Sequence, residues 1–151
     1  MKLPTFPTAL TVEQIHAVAK FLPVIEAIKP EDMARYIKSP ESTKDVFVVG
    51  RLEYHPAVHA LERACYENGL VQSFDWGAWS DEAHKYMGDP SLVVSANLAT
   101  CIQLLTTHFR AERFCDGYLE EVLKSGHISA ILRRLQQLSH ACGSRKPHAG
   151  I

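Results

Sequence analysis

The run from Thr107 to Gly117 holds the densest chemistry in the chain: His108, Arg110, Glu112, Arg113 and Asp116. On a helix, His108 and Glu112 fall four residues apart and share a face. A carboxylate so placed would hold the imidazole in one tautomer and raise its basicity, which suits acid–base work. Arg110 and Arg113 could hold a phosphate or a carboxylate beside that pair. His127 could join from the start of the next helix. On this reading His108 is catalytic, Glu112 orients it, and the substrate carries an anionic, phosphate-bearing group. The same residues also fit a plain corner between two helices. Arg113 with Asp116 would then fix the turn, and His108 would be a satisfied boundary histidine. Charged clusters are functional only in a fraction of cases, so both readings stand.

Asp75, Trp76 and Trp79 form a second candidate. Large aromatics close together can line a groove for a partner or ligand. They can equally plug the joint between two structural units, because Trp76, Trp79 and Ala83 keep helical core spacing. Asp75 reads mainly as a helix cap.

Other pairings point less far. His55 and His59 have the spacing of a helical metal pair, but no glutamate of the H-E-x-x-H type accompanies them. Pro56 also puts His55 at a helix edge, so capping or surface histidines are expected, with no metal and no cofactor. Glu120 through Arg133 and Arg134 outlines a helix-turn-helix, as any helical hairpin does. Glu120 and Lys124 read as a solvent-face pair. No phosphate-binding glycine loop, nucleophile elbow or dinucleotide fingerprint is present.

These residues need elements to position them. A capping box at Thr11 and Gln14 opens a helix over Thr11 to Ile28, and Pro23 either kinks it or starts a second turn. A short helix fits Glu31 to Lys38, with a mobile loop after it. Asp45 to Tyr54 and Leu70 to Phe74 read as strands, with Gly50 at a bend. Between them, Pro56 and Asn68-Gly69 bracket a helix. Helices then run from Asp75 to Gly88, from an Asn97 cap to Phe114, from Asp116 to Ser125, and from His127 to His140. Leu98, Ile102, Leu105 and Phe109 make one apolar stripe, and Ile128, Ile131, Leu132, Leu135 and Leu138 another.

Composition sets the outer limits. The chain has 151 residues, 46% hydrophobic and 22% charged, which fits one folded domain. Lys and Arg number 16 against 17 for Asp and Glu, so no positive excess favours nucleic acid or a polybasic membrane contact. Cys65, Cys101, Cys115 and Cys142 show no C-x-x-C spacing. The first three sit in apolar patterns and are expected as buried thiols, and Cys142 is expected to be exposed. Free thiols fit a reducing compartment. No secretory signal and no membrane-length apolar run are seen, so the expected address is the cytoplasm.

The stretch from Tyr66 to Leu135 resembles a family of small bacterial proteins defined by domain of unknown function 6508. The matching pieces are Tyr66 to Val71, Phe74 to Trp76 with Trp79, Leu104 to His108, Arg110 with Glu112 to Phe114, and Gly117 to Leu119. Ser125 to Ile128 and Ile131 to Leu135 complete the set. The first 44 residues carry little of the resemblance. It implies a bacterial or phage-related cytoplasmic protein and implies no reaction.

The expected fold is therefore mainly α (α+β): a single helical domain of five or six helices with a small two-stranded β element near Val46 and Leu70. Residues 1–44 form an N-terminal helical segment and loop of that domain, 45–140 its main body, and 141–151 a disordered tail. The expected function is a non-catalytic interaction or regulatory module that takes a protein partner through Arg110, Arg113 and the tryptophans. A binder or enzyme for a small anionic ligand is the alternative, and DNA binding the third reading.

Overall fold

A computed structural model describes residues 10–37 and 50–144. The expected strand residues Val46 to Val49, the loop around Pro40, the side chain of Cys142 and the end of the tail lie outside the described residues.

The fold is mainly helical with one small antiparallel sheet. Helix α1 (Val12–Ala19) opens on the capping box: Gln14 N donates to Thr11 Oγ1 at 3.1 Å, and Thr11 N to Gln14 Oε1 at 2.8 Å. Pro23 starts a separate short helix, α2 (Leu22–Glu26), because its fixed φ and missing N–H suit a first turn. The helix expected over Glu31 to Lys38 does not form. A 3₁₀ turn at Pro30–Asp32 leads into strand β1 (Ala34–Ile37), which pairs antiparallel with β2 (Arg51–Tyr54). Gly50 enters β2 where the Ile37 carbonyl and the Tyr36 ring leave no room for a Cβ, and its N–H donates to the Tyr36 hydroxyl at 2.8 Å.

The Leu70–Phe74 strand is the second correction. Gly69 takes φ +78° at the end of α3 (Pro56–Glu67), and the N–H groups of Leu70 and Val71 both turn back to the Cys65 carbonyl. Gln72 N then donates to Thr106 Oγ1 at 3.0 Å. A helix side chain thus satisfies a backbone group that a neighbouring strand would otherwise take. Leu70 and Val71 are apolar because they are buried, not because they are extended.

The remaining helices are α4 (Ser80–Gly88), α5 (Pro90–Val94), α6 (Leu98–Glu112), α7 (Tyr118–Lys124) and α8 (His127–Ser144). Asp89 caps the short α5, which the sequence reading left without an element. Asn97 caps α6 through its Oδ1 to Thr100 N at 2.8 Å. Helix α8 runs past His140, and Ser139 is buried, so the expected fraying at Ser139 is replaced by helix as far as Ser144. Helix α8 is central, packing against α1, α2, α5, α6 and α7. Ile128, Ile131, Leu132 and Leu135 on its apolar stripe are fully buried. Helix α6 is buried on most of its circumference, Thr106, Thr107 and His108 included. Among the described residues, no helix is long and apolar enough to cross a membrane.

Candidate functional site

The Thr107–Gly117 cluster separates into an inner and an outer half. Its dividing line is the end of α6: the helix is buried through Phe109, half-buried from Arg110 to Glu112, and the turn from Arg113 to Asp116 is exposed.

His108 faces inward with no exposure. Its Nδ1 lies 3.1 Å from the Tyr118 hydroxyl, which also reaches Met87 Sδ at 3.5 Å. His127, from the first turn of α8, meets it edge-on, with ring centroids 4.9 Å apart and planes at 85°. Neither Nε2 has a hydrogen-bond partner among the described residues. Burial holds the His108 pKa well below the ordinary histidine value, helped by the neighbouring His127 and His84. Burial also lowers His127 to about 4. Both imidazoles are therefore neutral at physiological pH.

The expected His108–Glu112 pair does not form. The Glu112 carboxylate accepts from the Tyr54 hydroxyl at 2.8 Å, from Leu119 N at 2.8 Å and from Gly117 N at 3.2 Å. It caps the start of α7 from the preceding helix, where negative charge meets the positive end of the helix dipole. Gly117 permits this by taking φ +94°. Tyr54 completes the junction by accepting from Glu120 N at 3.1 Å. Burial, then the Glu112 hydrogen bond, raises the Tyr54 pKa far above its usual value, so the phenol keeps its proton and keeps donating. Spacing along a helix could not show this, because the three donors lie beyond the helix itself.

The outer half carries Arg110, Arg113 and Phe114. The Arg110 guanidinium lies over the Tyr66 ring, 5.5 Å from its centroid. Arg110 also lines a small cleft of about 90 Å³ with Gln72, Ser73, Phe74, Trp76 and Thr106. Trp76, at the cleft, also packs on Phe114 at a centroid distance of 5.8 Å. Phe114 is 81% exposed. Arg113 and Asp116 are both exposed, and no ion pair joins them among the described residues. Arg113 instead acts on Glu62, countering part of the burial that raises that carboxyl group's pKa. Phe114 escaped the sequence reading as a site residue, although its position offered a signal. It falls off the stripe of Leu98, Ile102, Leu105 and Phe109, so it cannot share their burial.

The two tryptophans divide in the same way. Trp79 makes an edge contact with Phe74 at 6.0 Å, stacks on Tyr86 at 6.3 Å and packs against the core, so it fills the joint. Trp76 reaches the surface cleft. Asp75 Oδ1 accepts from Ala78 N at 3.2 Å and caps the turn before α4, which starts at Ser80 rather than at Trp76.

The other sequence candidates have structural partners. His55 Nδ1 accepts from Ala57 N at 3.0 Å and caps α3. No group of three or more metal-ligating side chains occurs among the described residues. Arg134 Nε donates to the Ala96 carbonyl at 2.6 Å, and Arg133 faces Glu26 at 3.4 Å, so the arginines of the helix-turn-helix outline contact the chain's own helices. Lys124 pairs with Glu120 at 3.1 Å. Cys65 and Cys101 are buried free thiols, but Cys115 is exposed, because α6 ends at Glu112 and leaves it in the turn.

No curated protein and no solved structure matches the chain. One family model does, over residues 10–141, described as a family of unknown function. The match reaches back through α1 and α2, which pack on α8, so the segment before residue 45 is part of the family unit. A match that runs from α1 through both strands and into α8, over most of the chain, settles the relationship: the chain belongs to the DUF6508 family.

Proposed function

We propose that the chain is a non-catalytic interaction module, of adaptor or inhibitor type, that takes a protein partner through the face around Trp76, Arg110, Arg113 and Phe114. One observation carries this reading. Phe114 is held in solvent at 81% exposure against Trp76, beside two arginines that form no ion pair among the described residues. Tryptophan, arginine and exposed phenylalanine are the types that anchor interfaces. Arg110 already rests on Tyr66, and Trp76 and Phe114 rest on each other, which lowers the ordering cost of binding. We place the module in a bacterial cytoplasm. Buried free thiols at Cys65 and Cys101 suit a reducing compartment.

The test is capture of a partner from the source cells, followed by calorimetric titration of the purified partner. Phe114→Ala and Arg110→Ala should each weaken binding at least tenfold, on the order of a 1.4 kcal/mol loss, with the melting temperature unchanged. Full affinity in both variants would remove the proposed face.

The cleft beside Arg110 supports a second reading, a small anionic ligand of carboxylate or phosphate size. A phosphate compound that raises the melting temperature in the wild type and not in Arg110→Ala supports it. Its catalytic form, with His108 as acid–base and Glu112 orienting it, has little to rest on. His108 is out of reach of solvent, and Glu112 is bound to Tyr54 and α7.

A further inference from the structure

The contact between His108 and His127 has a property that a structural corner does not need. Each imidazole is buried, each has an Nε2 without a partner among the described residues, and they meet at 4.9 Å. An unpaired polar nitrogen in a core costs on the order of 1–3 kcal/mol, and a charged one far more. An apolar pair would fill the same space without that cost.

We propose that the His108–His127 contact is a proton-operated latch on the corner joining α6, α7 and α8, closed while both rings are neutral and opened when either takes up a proton.

The groups facing the pair favour opening. His84 on α4 acts electrostatically against a proton on His108. Tyr118 on α7 contacts His108 as a neutral phenol, its pKa raised by burial and then by Cys115. The nearest carboxylate along α6, Glu112, is committed to Tyr54, Gly117 and Leu119. Among these groups no anion is free to neutralise an imidazolium. His108 belongs to α6 and His127 to the first turn of α8, with α7 between them. The turn that the latch would release carries Phe114 and Cys115. Gly117 and Gly126, both at positive φ, bound α7 at its two ends and supply hinges.

The direction follows from proton linkage. A histidine whose folded value is depressed is neutral in the closed form and protonates in the open one. Closure is fully favoured above the ordinary value of 6.5 and is lost progressively as pH falls toward about 4. For His127 alone that window shifts the opening equilibrium by about two orders of magnitude.

Two measurements on the full chain test the latch. Hydrogen exchange at pH 7 and pH 5, corrected for intrinsic rates, should show protection falling at least tenfold for amides of residues 113–130, with α1 and α3 unchanged. The variant His108→Gln/His127→Gln should lose most of that pH dependence. NMR titration of the wild-type imidazole resonances keeps the proposal open to refutation where the double variant fails to fold. His108 and His127 should hold neutral shifts below pH 6. Either ring titrating near 6.5 in the folded protein overturns the latch. So does loss of protection spread evenly over the molecule, or a folded double variant with unchanged pH dependence.

Discussion

His108 and Arg110 are two residues apart on one helix, yet they belong to different environments. His108 is buried against His127 and Tyr118, with no exposed surface. Arg110 lies over Tyr66 and lines a cleft with Trp76, which packs on Phe114. A shift of two residues along a helix turns a side chain by about 200°, enough to move it from core to solvent. A dense local run of polar residues is therefore not one site. The inner half is tied to fold stability and to pH. The outer half has few intramolecular obligations and is free to meet something else.

Substitutions can break that division, and the largest effect should come from acid. His127 has an ordinary value of 6.5 and about 4 in the folded chain. The free energy holding the α6–α7–α8 corner closed should be full above pH 6.5 and fall by about 3 kcal/mol as pH drops through that window, as read by hydrogen exchange of residues 113–130. A flat profile between pH 7 and 5 would dissolve the distinction on the inner side. Next comes Glu112→Ala, which strands two amides at the start of α7 and the Tyr54 hydroxyl of β2, and should cost about 2 kcal/mol in urea melts. A cost below about 0.5 kcal/mol, the range of ordinary surface changes, would show that α7 does not need its borrowed cap. Gly117→Ala isolates the backbone contribution. A Cβ there meets nothing within 4 Å, so the expected loss of about 1 kcal/mol is strain from φ +94° alone. Smallest of all is Phe114→Ala, which should change stability by less than about 0.5 kcal/mol while weakening partner binding. A large loss of stability there would mean that the aromatic pair holds the corner together and is no free surface.

Much of the helical frame was legible in the sequence because its signals are local. Thr11 with Gln14, His55 before Pro56, Asn97, Gly69 and Gly126 each act within one turn, and each cap forms as read. The stripes of α6 and α8 were equally plain. What failed was non-local. Ala34–Ile37 becomes a strand only because Arg51–Tyr54 lies alongside it. Leu70 and Val71 stay out of a sheet because Thr106, far along the chain, takes the next amide. In the site, helical spacing brought His108 and Glu112 onto one face and could not show that Tyr54 and the amides of α7 outcompete the imidazole. The aromatic pair of Trp76 and Phe114 was hidden for the same reason, being far apart in sequence.

The hydrogen bond from Tyr54 to Glu112 also has a kinetic meaning. It closes a span of 58 residues with a single side-chain contact. Helices α6, α7 and α8 are sequential neighbours that pack on each other, so they can assemble through short loops. The hairpin can dock only once that assembly presents the Glu112 carboxylate and the Glu120 amide, and closing so long a loop before then has little to offset its entropy. The β1–β2 ribbon should therefore be the last unit to order during folding and the first to detach under mild denaturant. Tyr54→Phe should speed unfolding and leave the folding rate nearly unchanged.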